Sequence, residues 1–161
     1  MRDDGVIERY ALGGAVGATF YLEPVSTLGV DIFIEFHAAP ASPIISLDPI
    51  FRYLLDRGCT MEGEHVVING WPVQFLPPTS PLAEEAMEGA TQVDVEGTPV
   101  SVFTAEHLAA IALQTGRARD KARLLQFIET GALDTNKFQE IIKRHELAGK
   151  WQQFEQQFLE G

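Results

Sequence analysis

Apolar residues alternate with polar ones in VDIFIEF, residues 30–36. Val30, Ile32, Ile34 and Phe36 share one face, and Asp31, Phe33 and Glu35 share the other. The alternation predicts a strand, and its polar members predict that the second face meets solvent or a cleft. Upstream, residues 5–12 suit a short strand or a helix end. Gly13-Gly14 permits a tight turn, and 15–21 reads as a short helix that Glu23-Pro24 ends. PASP at 40–43 reads as a loop. A helix follows over 47–57, opened by Asp48-Pro49 and stopped by Gly58.

Two hairpins are expected next. EHVVI and PVQFL flank Asn69-Gly70, and QVDVEGTPVSVFT turns at Glu96-Gly97. Between them 81–90 predicts a helix. From Thr104 the period changes to that of helices, expected over 105–113, 120–129, 136–145 and 150–159. Strands in the first two thirds and helices in the last third give an α+β fold, a mixed sheet flanked by helices with a helical C-terminal segment. The expected division is 1–103 for the α/β core and 104–161 for the helical part of the same domain.

Composition narrows the function classes. The chain has 161 residues, 45% of them hydrophobic, enough for one cored domain. Its formal net charge of -11 argues against diffuse nucleic-acid binding, which draws on neutralised phosphates. No apolar run is long enough for a membrane span, the N-terminus MRDDGVIERY lacks a leader's apolar stretch, and Cys59 is the single cysteine. A cytoplasmic setting is the expectation. Arg117, Arg119, Lys121 and Arg123 concentrate basic charge in one short segment. That segment reads either as a solvated helix face or as a site for phosphate, and Arg117 and Arg119 can fork onto a phosphate or onto Asp120.

Asp31 and the two glycines raise a chemical question. Phosphoryl or nucleotidyl transfer holds phosphates on backbone amides and one or two magnesium ions on carboxylates. Carboxylates two apart on a strand point the same way. Asp31 and Glu35 are four apart, roughly 13 Å along a strand, too far to share one ion. The histidines His37, His65, His107 and His145 show no metal-ligand spacing, and no serine sits in a nucleophile-elbow pattern. Cys59, Trp71, Trp151, Phe154 and Phe158 are expected in apolar cores.

Two stretches together carry a resemblance. Gly13-Gly14-Ala15-Val16 is followed by Thr27-Leu28-Gly29-Val30-Asp31-Ile32, and Leu108 to Asp120 reads LAAIALQTGRARD. In order and spacing the chain resembles the nucleotidyltransferase superfamily of the DNA polymerase beta fold, and within it the branch of abortive-infection nucleotidyltransferase-like toxins. The resemblance covers roughly residues 8–130. It implies nucleotide contacts from Gly13, Gly14, Thr27, Arg117, Arg119 and Asp120. It also implies a metal and catalytic role for Asp31, with Mg2+ as cofactor, a nucleoside triphosphate as ligand, and a protein partner or antitoxin. The departures lie in the acids. Gly29 stands where that family has its first metal carboxylate, or, with the register shifted so that Asp31 is the first, Phe33 stands in the second place; Gln74 stands where it has its third, Ala112 in place of a lysine and Arg123 in place of a second acid. The implied function is therefore a nucleotide- or protein-binding module with a degenerate metal site. An active nucleotidyltransferase and a small acidic interaction domain are the alternatives.

Overall fold

Two turns with consecutive left-handed residues organise the sheet. Asn69 and Gly70 have φ of 51° and 84°, and Glu96 and Gly97 have 52° and 86°. Paired positive φ angles match the right-handed twist of the strands they join. In the computed structural model, which describes residues 5–22, 29–35 and 47–159, these turns close β4 (His65–Ile68) onto β5 (Trp71–Leu76) and β6 (Thr91–Val95) onto β7 (Thr98–Val102). A short strand β3 (Thr60–Glu62) adds to β4. The strands β1 (Arg9–Gly13) and β2 (Val30–Glu35) complete a seven-stranded mixed sheet ordered β3-β4-β5-β2-β1-β7-β6. β2 runs antiparallel to β1 and parallel to β5, and β1 runs parallel to β7.

Alternation sorts the side chains onto two faces. Ile34, Val66, Val73 and Phe75 point to one face, where Ile50 and Leu54 of helix α2 (Asp48–Leu55) cover them. Cys59 packs beside this cluster, as a small apolar residue should. The opposite face carries the larger core. There Ala11 and Phe33 meet Phe103 and helices α1 (Gly14–Ala18), α3 (Pro81–Glu88) and α4 (Ala105–Thr115). Behind these lie α5 (Ala118–Glu129), α6 (Thr135–Arg144) and α7 (Ala148–Phe154), which ends in a π turn over Glu155–Leu159. One core thus draws on both sides of residue 103. The architecture is the expected α+β one, a mixed sheet between helices. Among the described residues no helix is long and apolar enough to cross a membrane.

Several expectations need correction. The first helix is shorter than 15–21, and the last ends in the π turn. α5 begins two residues earlier than position 120, because Arg117 is its N-cap. β3 was not expected, and all three of its residues are exposed. Trp71 is 58% exposed rather than buried, since it starts β5 directly after the Asn69-Gly70 turn. Phe158 is 38% exposed, although its ring lies tilted against Phe154 with 4.9 Å between centroids, and Trp151 and Phe154 pack as expected. Phe36, His37, Glu23-Pro24 and the 40–43 loop lie outside the described residues.

Candidate functional site

The larger-core face of the sheet is roofed by helices only over part of its width. Over β3, β4, β5 and the start of β2 it lies open as a cleft of about 1030 Å³, walled by α1 and α5. The floor follows from register. Asp31 lies beside Gln74 in the parallel β2–β5 pair, and Glu62 opposes His65 in the β3–β4 pair. Neighbours across strands share a face, so all four side chains face the cleft that they line.

The α5 wall is a helical stripe. Arg119, Ala122, Arg123 and Gln126 stand at i, i+3, i+4 and i+7 and line the cleft, while Leu124 and Phe127 of the same helix are buried in the core. Arg117 joins them from the N-cap position. The arrangement hangs on Asp120. Its carboxylate is 3% exposed and accepts from the Arg117 backbone N–H at 3.2 Å and from Arg117 Nε at 2.7 Å. It also pairs with Arg123 Nη1 at 3.7 Å. Asp120 itself is not among the cleft-lining residues; it holds two arginines that are. Upstream, Gly116 ends α4 with φ of 70°, the left-handed cap that lets the chain turn into α5.

The opposite wall rests on two glycines. Gly14 has φ of 57°, and the Asp31 carboxylate occupies the space a Cβ there would need. The Asp31 side chain therefore packs directly on the Gly14 backbone at the edge of the cleft. Gly13 does not line the cleft. A Cβ there would stand 2.8 Å from Phe33 Cε2, so this glycine lets Phe33 close on Phe103, 4.9 Å between ring centroids. Thr27 lies outside the described residues.

The electrostatics of the cleft centre on Asp31. Burial pushes its carboxyl above the usual range, and the nearby Arg117, Arg119, Arg123 and His65 pull it back. The charges that act on it are all cations. Among the described residues none of them makes an ion pair with it. Arg123 is itself lowered, first by burial and then by Arg119 and Arg117, against the pull of Asp120 and Asp31. Arg117 is raised by its hydrogen bond to Asp120. Arg119 is exposed and makes no ion pair among the described residues. A chain of net charge -11 thus gathers three guanidiniums on one concave surface.

Magnesium needs several hard oxygen donors carrying negative charge. Among the described residues no three His, Cys, Asp or Glu side chains stand close enough to hold an ion. The residue beside Asp31 is Gln74, a neutral amide. At position 29 a Cβ would stand 2.9 Å from the Pro72 carbonyl oxygen, closer than side-chain carbons approach backbone oxygens. The backbone there has closed on its neighbour, leaving no room for an acid. The described donors do not fit a magnesium site.

Glu62 and His65 escaped the sequence reading. Both lie on strands too short for a strong alternation signal, and β3 has no apolar residue that is buried. The alternation His65, Val66, Val67, Ile68, read against the register of β5, was the usable clue to His65.

No protein-family model matches the chain, and no curated protein matches it. Among solved structures, an antigenic nucleotidyltransferase-like protein from Paracoccidioides brasiliensis superposes with a TM-score of 0.66 at 17% identity. The match covers 99% of this chain and 84% of that one. The chain therefore has the nucleotidyltransferase-like fold.

Proposed function

We propose that this protein is a nucleotide-binding module on a nucleotidyltransferase-like fold, with its metal-dependent transfer activity lost. The observation that carries the reading is the convergence of Arg117, Arg119 and Arg123 on the cleft that holds Asp31. Guanidiniums fork onto phosphate oxygens and keep their charge at any physiological pH. Gly14 brings backbone to the same cleft, and Gln74, Thr19 and Gln126 line it with neutral hydrogen-bonding groups. Such a lining suits a ligand with a charged phosphate end and a polar remainder.

Titration calorimetry with nucleoside triphosphates, with and without magnesium, tests this. Saturable heat at submillimolar concentration is expected. No heat at millimolar ligand removes the nucleotide and leaves the protein-partner role, of which an antitoxin is one form. Magnesium-dependent transfer of labelled nucleotide to RNA, protein or a small molecule, abolished by Asp31→Ala, would replace this reading with that of an active enzyme.

A further inference from the structure

Resting on the nucleotide-binding reading, we propose that the cleft takes the phosphate chain of its ligand directly on Arg117, Arg119 and Arg123, with no divalent cation between, so that magnesium weakens binding instead of permitting it. Two features of the cleft argue for this, and charge balance gives the direction of the effect.

Among the described residues, the positions beside Asp31 carry no acid that would bring an ion. Asp31 is beside Gln74, and Gly29 is closed against Pro72. Asp31 and Glu62, the two acids that line the cleft, form no group of three candidate ligands among the described residues, too few for an ion that prefers a near-octahedral set of oxygens.

The cationic wall is built rather than incidental. Arg119 and Arg123 are one helical turn apart, and Ala122 between them is small enough to leave the surface concave. Arg123 has only 16% of its side chain exposed, and Asp120 fixes Arg117 through the helix cap. Holding guanidiniums at fixed positions beforehand lowers the ordering cost of binding an anion. Arg119, exposed and with no ion pair among the described residues, is the member whose guanidinium is available to a phosphate.

Charge balance supplies the direction of the magnesium effect. A magnesium ion already on a triphosphate removes part of the negative charge that the guanidiniums recognise, and brings a cation toward three others. In an arginine cleft that lowers affinity. In a carboxylate cleft it raises it.

The experiment is calorimetry on the full chain with ATP and, separately, with inorganic triphosphate, each in EDTA and in excess magnesium. Both ligands are expected to bind in EDTA and to bind severalfold more weakly in magnesium. Equal affinity for the two marks a bare polyphosphate as sufficient, and tighter ATP marks a nucleotide; either supports the proposal. Arg119→Gln is expected to weaken binding about tenfold without moving the melting temperature, since that side chain is exposed. Asp31→Asn is expected to strengthen binding, because it removes the carboxylate facing the phosphates. Binding that appears only with magnesium, or that Asp31→Asn abolishes, overturns the proposal while leaving nucleotide binding intact. Absence of binding by either ligand in both conditions overturns the nucleotide-binding reading and this inference together.

Discussion

Two polar clusters in this molecule use similar residues to opposite ends. At the junction of α3, α4 and α6, Glu85 collects one arginine and two histidines by direct contact. Arg144 Nε donates to it at 2.8 Å and Nη2 at 3.2 Å, His107 Nε2 lies 2.8 Å away, and His145 Nε2 lies 3.2 Å away. An ionised carboxylate only accepts, so the His107 proton toward Glu85 sits on Nε2, and Nδ1 accepts from the Thr104 hydroxyl at 2.7 Å. Arg144 foremost, with the two histidines, holds the Glu85 carboxyl at about 2, against the opposing effect of burial. In the cleft, Asp31 is surrounded by cations that do not touch it, and burial prevails, so its carboxyl moves up. A carboxylate in contact ties helices together. One that is desolvated and has no ion pair among the described residues weakens the fold locally, and the cations around it face the cleft instead. That difference distinguishes a structural staple from a binding surface.

The largest expected effect breaks the support behind the cleft. Asp120→Ala strands the Arg117 backbone N–H and leaves Arg123 without its buried counter-charge. Denaturant unfolding should show a loss of about 3 kcal/mol, and triphosphate binding should fall with it. An unchanged unfolding midpoint would contradict the role given to Asp120.

Next comes the staple itself. The folded pKa of Glu85, about 2, lies below its ordinary value of 4.5. Its contribution is thus present above the unfolded value and is lost as pH falls through the folded one. Glu85→Gln should cost about 1 kcal/mol at neutral pH, a figure discounted for solvent because Arg144 is half exposed. The gap between variant and wild type should close between pH 4.5 and 2. Melting curves across that range check it, and a constant gap would mean the pairing is not electrostatic.

A smaller change of opposite sign is expected at Asp31. Its folded pKa is raised, so the ionised form disfavours folding above that pKa and the penalty fades as pH falls. Asp31→Asn should stabilise the fold by less than about 1 kcal/mol at neutral pH. Loss of stability there would place Asp31 with Glu85 as a structural group. The smallest effect is expected from Gln74→Glu, which adds a negative charge beside Asp31. It should weaken triphosphate binding a few-fold in EDTA and leave the melting temperature within a degree or two.

The sequence was most legible where one residue type has few conformational options. Asn69-Gly70 and Glu96-Gly97 announced their hairpins because few residues tolerate paired left-handed angles. Gly116 announced the end of α4 for the same reason. The alternation in VDIFIEF correctly set Asp31 apart from Ile32 and Ile34. What alternation could not give was the partner across the sheet. That Asp31 lies beside Gln74 depends on a register between β2 and β5, segments far apart in sequence, and only this pairing brings Asp31 to the floor where the β4–β5 hairpin carries His65. Likewise the RARDKAR run, residues 117–123, shows that charge is concentrated, but only the burial of Leu124 and Phe127 fixes which arginines turn to the cleft. Trp71 misled because hydrophobicity was read without its place next to a turn.

The strand order also orders events in time. The β4–β5 and β6–β7 hairpins close over two-residue turns, and α4 hands directly to α5 across Gly116. The β2–β5 and β1–β7 pairings must instead bring together segments dozens of residues apart, and their loop-closure entropy places them late in folding. The cleft needs β2, β5 and α5 together, so it is completed after most local structure exists. During synthesis Asp31 leaves the ribosome long before Arg119 and Arg123, and until they arrive the nascent chain carries Asp31 without the arginines that face the same cleft in the fold.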